Sequence, residues 1–217
     1  MRYLHQGGEQ QMTAEQLKSL SERFERVCAD IGTGDGKRLY RVAKADPKTL
    51  YVGIDPVKDN MLETAKKAAK KPAKGGLENL LLVVGAVEAL PNELDGHADE
   101  VTVYFPWGSL LEAVVKPVPD SLAQIKRIAK QGAQFTFITT YQESYEAHEI
   151  EKRGLPELSM DYFETQHKSA LAENGFLTEN VTELTPEDVK ALGTQWAKRL
   201  GTGRARKYFK ISGVINA

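Results

Sequence analysis

Cysteine is almost absent from this sequence: Cys28 is the only one in 217 residues, so no internal disulfide can form. It sits in an apolar run and reads as a buried core residue rather than a nucleophile. Long apolar stretches are missing as well, and none approaches the roughly 18–20 residues needed to span a bilayer. Residues 1–12 lack the apolar centre of a secretory signal, so a soluble, cytoplasmic protein is expected. Histidine is scarce. His5, His97, His148 and His167 read as surface or loop residues, and no pair of them has metal-ligand spacing, so no metal site is expected. The length suits one substantial domain, taken as 1–217, and is too short for two full ones.

Net charge is also nearly absent, at −1, which at first argues against a nucleic-acid partner. The average hides a segregation. Residues 65–76 (AKKAAKKPAKGG) hold five lysines and no acid, and residues 196–210 (WAKRLGTGRARKYFK) hold six basic residues and no acid. Without these eleven, 18 basic residues face 30 acidic ones, a balance of −12. An acidic body carrying two concentrated basic segments is the footprint of a surface that meets phosphates. Lysines at helical spacing that merely solvate a face remain the alternative for the first segment.

What the chain does have is alternation of β-branched apolar runs with helical patterns, the mark of βαβ units around a parallel sheet. Strands are expected over 26–31, 49–54, 80–84, 100–105, 133–139, 178–184 and 207–215. Helices are expected near 37–44, 58–70, 110–115, 119–130, 145–152, 159–174 and 186–199. Two stretches, 141–158 and 190–206, read as insertions.

The strongest motif, DIGTGDGK over 30–37, follows the first strand and opens a helix. Glycines there permit a tight turn and close approach of backbone to ligand. Asp55 closes the second strand 19 residues after Gly36, where a carboxylate can accept both ribose hydroxyls of an adenosine ligand. Asp30 ahead of the loop would repel a pyrophosphate and attract the ammonium of a methionine moiety. Together with the G-x-G-x-G spacing of Gly32, Gly34 and Gly36, this favours S-adenosylmethionine over a dinucleotide. After the third strand, Ala86 and Val87 with nearby Glu88 fall where the adenine ring would lie; a solvated helix start is the alternative for Glu88.

The fourth strand ends in Tyr104-Phe105-Pro106-Trp107-Gly108-Ser109, facing the transferable methyl in such a sheet. Attack by a conjugated exocyclic amine calls for a polar acceptor at the position Phe105 occupies. A ring nitrogen with its own lone pair, such as adenine N1, needs none. Methylation there creates a cation that aromatic faces stabilise by roughly 0.5–2 kcal/mol per contact. The chain's two tryptophans are Trp107, at this strand end, and Trp196, heading the second basic segment. Each could be core; if both face one pocket they could sandwich an extruded base. A small-molecule or tRNA methyltransferase, and a non-catalytic RNA-binding module that kept the fold, remain open on these residues alone.

The stretches DIGTGDGKRLY (30–40), YVGIDPVKDNM (51–61), KKPAKGGLENL (70–80), FPWGSLLE (105–112), TTYQESYE (139–146), EIEKRGLP (149–156) and WAKRLGTGRARKYFKISG (196–213) carry a more specific likeness. The chain resembles the aminoglycoside-resistance 16S rRNA methyltransferases that modify N1 of adenine 1408, the kanamycin–apramycin type. This resemblance implies a Rossmann-like class I methyltransferase fold: a seven-stranded, mostly parallel sheet with an antiparallel last strand and helices on both faces. It implies docking on the assembled 30S subunit as a monomer, with the adenine flipped between Trp107 and Trp196. Asp30, Gly32, Gly34, Asp55, Ala86, Val87, Glu88, Tyr104, Ser109 and Thr194 would surround S-adenosylmethionine. Lys66, Lys67, Lys70 and Lys71 would meet rRNA phosphates from one side, and Arg199, Arg204, Arg206 and Lys207 from the other, with Arg153 between. Glu146 would orient one of these arginines, and a short hairpin would occupy the N-terminal segment.

Overall fold

The computed structural model describes residues 1–193 and 206–216. Its centre is a run of strands buried on both faces, as parallel strands covered by helices must be. These are β3 (Arg26–Ile31), β4 (Thr49–Asp55), β5 (Leu80–Val84), β6 (Ala98–Tyr104) and β7 (Ala129–Thr139). Pairing is parallel throughout this group, with β3 between β4 and β6. Two antiparallel strands, β8 (Phe176–Leu184) and β9 (Tyr208–Ile215), extend the β7 side, β9 lying between the other two.

Among the described residues the sheet has nine strands, in the order β2-β1-β5-β4-β3-β6-β7-β9-β8, rather than the seven expected. The extra pair is the N-terminal hairpin of β1 (Arg2–His5) and β2 (Gly8–Gln11), which seals the edge of β5 through Tyr3 and Leu4. β2 is exposed along its whole length and so carries no apolar alternation to read. That hairpin is the one the resemblance implies, whereas helix α1 (Ala14–Ser21) was not anticipated, although Thr13 and Gln16 form a capping box at its start.

Five helices follow the expectations closely, α2 (Lys37–Ala45), α3 (Lys58–Ala68), α4 (Gly108–Val115), α5 (Pro119–Ile128) and α6 (Glu143–Arg153), and a later one, α9 (Pro186–Leu192), starts where expected. The stretch expected as one helix over 159–174 is instead α7 (Met160–Tyr162), a π turn at Phe163–His167 and α8 (Lys168–Glu173). The reading of His167 as a surface or loop residue is corrected, since it lies on one buried stripe with Phe163 and Leu171. It is fully buried, its Nε2–H donates to the Val114 carbonyl at 2.8 Å, and its ring meets Phe163 at 4.9 Å. Burial lowers its pKa to about 4, against the opposing pull of that hydrogen bond. Helix α9 ends at Leu192 on a left-handed Gly193, short of the expected residue 199; positions 194–199 lie outside the described residues. Cys28 is buried, and burial pushes its thiol pKa well up, as suits an inert core residue.

One large apolar cluster covers one face of the sheet, with Phe135, Phe137 and Phe176 at its aromatic centre and ring centroids 5.0–6.0 Å apart, while the alternate strand residues form three smaller clusters on the other face. Chain order reverses on either side of β3, towards β4 and β5 on one flank and towards β6 and β7 on the other. A crevice opens at such a switch point, outside the carboxyl ends of the strands.

Candidate active site

That crevice is a cavity of about 700 Å³. Its walls come from the ends of four adjacent strands: Asp30 and the glycine loop after β3, Asp55 after β4, Ala86–Glu88 after β5, and Tyr104 with the turn after β6. Asp30, Gly32, Gly34, Asp55, Ala86, Val87, Glu88, Tyr104, Trp107 and Ser109 are thus brought together from 80 positions of sequence.

Sheet register explains the two buried carboxylates. Asp30 lies opposite Thr102 on β6, and the Thr102 hydroxyl donates to its Oδ1. Asp55 closes β4 and accepts from the backbone N–H of Gly34 and of Val57, each at 2.9 Å. The loop is held from both sides, because Gly32 and Thr33 also donate to the Ile54 carbonyl at 2.8 and 3.1 Å. Burial raises the Asp55 pKa; the two N–H donors pull it back, and nearby Asp30 adds to the rise. Gly32 has φ +75°, and a Cβ there would come within 2.6 Å of Leu110. Only glycine satisfies both constraints. The Thr33 hydroxyl is buried with no hydrogen-bond partner, and Thr33 lines the cavity.

At the end of β6 the chain turns sharply. Phe105 is held at φ +52°, a region that costs a bulky residue about 1–3 kcal/mol. Its N–H donates to Ile138 at 2.7 Å and its ring packs edge-on against Tyr208, so the strain is well braced. Trp107 then sits at the N-cap of α4, 49% exposed and on the cavity wall. A large indole this open is out of place in a core and well placed to receive a planar ligand.

The basic residues fall into two kinds. Lys66, Lys67, Lys70 and Lys71, at and beyond the end of α3, are exposed, with Lys67 Nζ 4.2 Å from the Tyr40 ring. Lys207 is exposed too. The arginines are engaged. Arg153 on α6 pairs with Glu149 and with Glu112 of α4, next to Gly108. Arg206 makes a two-pronged contact with Glu146, its side chain 5% exposed and its guanidinium over the Tyr145 ring. Glu146 thus orients one of these arginines, as the resemblance implies, and Arg153 is held by two further carboxylates. Thr194, Trp196, Arg199 and Arg204 lie outside the described residues.

The family of the 16S rRNA (adenine(1408)-N(1))-methyltransferase NpmA matches residues 6–215. The chain belongs to this family. A 16S rRNA (adenine(1408)-N(1))-methyltransferase of Escherichia coli is 47% identical over 206 residues, covering 94% of each protein. Another from Streptoalloteichus tenebrarius is 35% identical over 208 residues, covering 95% of each. Among solved structures, the 16S rRNA methyltransferase KamB superposes with TM-score 0.92 at 33% identity over the full length of both chains. A tryptophan-to-alanine variant of a Catenulisporales acidiphilia 16S rRNA (adenine(1408)-N(1))-methyltransferase, solved with its cosubstrate SAM, gives 0.90 at 35% identity, covering 100% of this chain and 97% of that one.

In this methyltransferase the cavity also contains a residue that sequence reasoning passed over. Arg38, in the first turn of α2, reaches back to within 3.4 Å of Asp30 Oδ1 and lies 4.0 Å over the Tyr104 ring. The signal available was its position, two residues after Gly36, but its direction depends on β6, which is remote in sequence.

Proposed function

We propose that the chain transfers a methyl group from S-adenosylmethionine to N1 of adenine 1408 in 16S rRNA of the 30S subunit, and that the modification confers aminoglycoside resistance. One observation carries this reading beyond the family assignment: a half-exposed tryptophan stands on the wall of a cavity whose far side is lined by buried carboxylates and a glycine loop. The cavity volume lies in the range of clefts that enclose a small ligand. Buried Asp30, the unpartnered Thr33 hydroxyl and the backbone left open at Gly34 fit a nucleoside bearing an amino-acid tail.

Asp30 would take the ammonium and Asp55 the ribose hydroxyls, while Ala86, Val87 and Glu88 border the adenine and Tyr104 and Ser109 complete the wall. S-adenosylmethionine supplies a methyl already activated by its sulfonium charge. The chain's task is positioning: holding adenine N1 in line with that methyl contributes through orientation rather than acid–base chemistry. N1 attacks with a lone pair, so no general base is assigned. Trp107 stacks on the extruded base, with Trp196 as its partner on the opposite face; each such contact is worth about 1–3 kcal/mol.

Lys66, Lys67, Lys70, Lys71 and Lys207 would meet phosphates directly, together with Arg199 and Arg204. Arg153 and Arg206, oriented by their glutamates, would join them, exchanging those pairs when phosphates compete. No described helix is long and apolar enough to cross a membrane. We place the enzyme in the cytoplasm as a single-domain monomer acting on the assembled subunit. The test is methylation of purified 30S subunits followed by reverse transcription. Since an N1-methyl group blocks the pairing edge, one strong stop at adenine 1408 is expected, and no stop there overturns the proposal.

A further inference from the structure

We propose that Arg38 is the cation that binds the carboxylate of the cofactor's amino-acid tail, a deepening that rests on the S-adenosylmethionine reading above. An α-amino acid presents an ammonium and a carboxylate on one carbon. A wall that recognises it must offer an anion and a cation side by side. Asp30 and Arg38 form such a pair on the cavity wall, 3.4 Å apart, with side-chain exposures of 6% and 16%.

The alternative cation is Lys37. Lys37 borders the cavity as well, but its side chain is half exposed and its Nζ is bound to Glu63 of α3 at 2.7 Å, in the groove between α2 and α3. Arg38 is the inner one. Its contact with Asp30 is a single Nη1 approach, longer than the 2.7–2.9 Å of a well-made charged hydrogen bond. Asp30 meanwhile takes its short contact from Thr102. Most of the guanidinium's five donors therefore carry no bond to Asp30. The Tyr104 ring, 4.0 Å away, holds the guanidinium plane in place as a flat surface does for a stacked arginine. A planar, pre-oriented fork beside a buried anion matches a tail in which the ammonium sits on Asp30 and the carboxylate lies one carbon away.

The step involves binding alone, so the test reads binding. Calorimetry on the full chain compares S-adenosylmethionine with its decarboxylated form, which keeps the ammonium and lacks the carboxylate. Wild type is expected to prefer the intact cofactor by about 10-fold or more, the value of a charge-assisted contact. In Arg38→Met that preference falls to about 3-fold or less, through loss of the intact cofactor's affinity alone. Arg38→Lys recovers part of the preference, and Arg38→Gln repeats the methionine result if the apolar variant folds poorly. An unchanged preference in Arg38→Met or Arg38→Gln overturns the proposal. So does equal weakening of both ligands, which would mark Arg38 as a brace for Asp30 and Tyr104 only. Failure of wild type to bind either ligand overturns the cofactor reading itself and is thereby told apart.

Discussion

At the glycine-loop wall of the cleft, the charges are carboxylates sunk below the surface and held by backbone N–H groups and a threonine hydroxyl. Outside the cleft, on α6 and at the approach to β9, they are arginines held by glutamates, with the half-exposed Trp107 at the cleft's rim where α4 begins. The first arrangement is rigid, since main-chain donors fixed by sheet register cannot turn away. The second is exchangeable, because one ion pair can give way to another of similar energy. A small cofactor arriving repeatedly suits a preformed socket. A large polyanion suits a wall whose cations stay neutralised until it docks, which limits non-specific attraction.

The socket should be the less forgiving wall. Gly32→Val places a branched side chain at φ +75° against Leu110, at a cost of about 1–3 kcal/mol in the loop itself. Cofactor binding by calorimetry should vanish; retained affinity would show that the loop does not need its observed shape.

Behind the other wall, His167 holds α4 through the Val114 carbonyl. Its folded pKa of about 4 lies below the ordinary 6.5, so the folded state binds fewer protons than the unfolded state between those values. Stability is therefore full above pH 6.5 and declines as pH falls towards 4, by roughly 3 kcal/mol for this group. Denaturant midpoints at pH 7.5 and 4.5 check this: His167→Gln should show a shallower acid loss than wild type.

Among the exposed cations, Lys70→Ala with Lys71→Ala should weaken 30S binding several-fold and flatten its logarithmic salt dependence by about 0.7–0.9 per lost phosphate contact. Cofactor affinity should not move. The smallest effect is expected for Glu149→Gln, which loosens Arg153: a modest gain in 30S affinity with a steeper salt dependence. A loss of affinity would mean that the glutamate orients the arginine for docking rather than restraining it.

Legibility in the sequence follows the same division. The socket could be read because its chemistry is local: a glycine loop between a strand and a helix, and a carboxylate at the next strand end. Register then carried Asp30, Asp55, Tyr104 and Trp107 to one cleft. Arg38 could not be read, because its direction is set by contact with Tyr104, 66 positions away. The pairing of Arg153 with Glu112 spans 41 positions and left no periodic trace. The N-terminal hairpin was expected only through the resemblance, because a fully exposed β2 has no alternation to read. His167 was misread although it shares one helical stripe with Phe163 and Leu171, all three fully buried: a histidine in that stripe was read by its polarity rather than by its spacing.

The most direct test removes the indole at the rim. Cofactor affinity and single-turnover methylation of 30S subunits are measured in parallel for wild type and Trp107→Ala. Transfer should fall by about 5- to 150-fold, the weight of a stacking contact of about 1–3 kcal/mol on a base that must stay extruded, while cofactor affinity stays within about 3-fold. Near-normal transfer, or a loss of cofactor affinity as large as the loss of rate, would contradict the division between a fixed socket and a separate wall that grips the target.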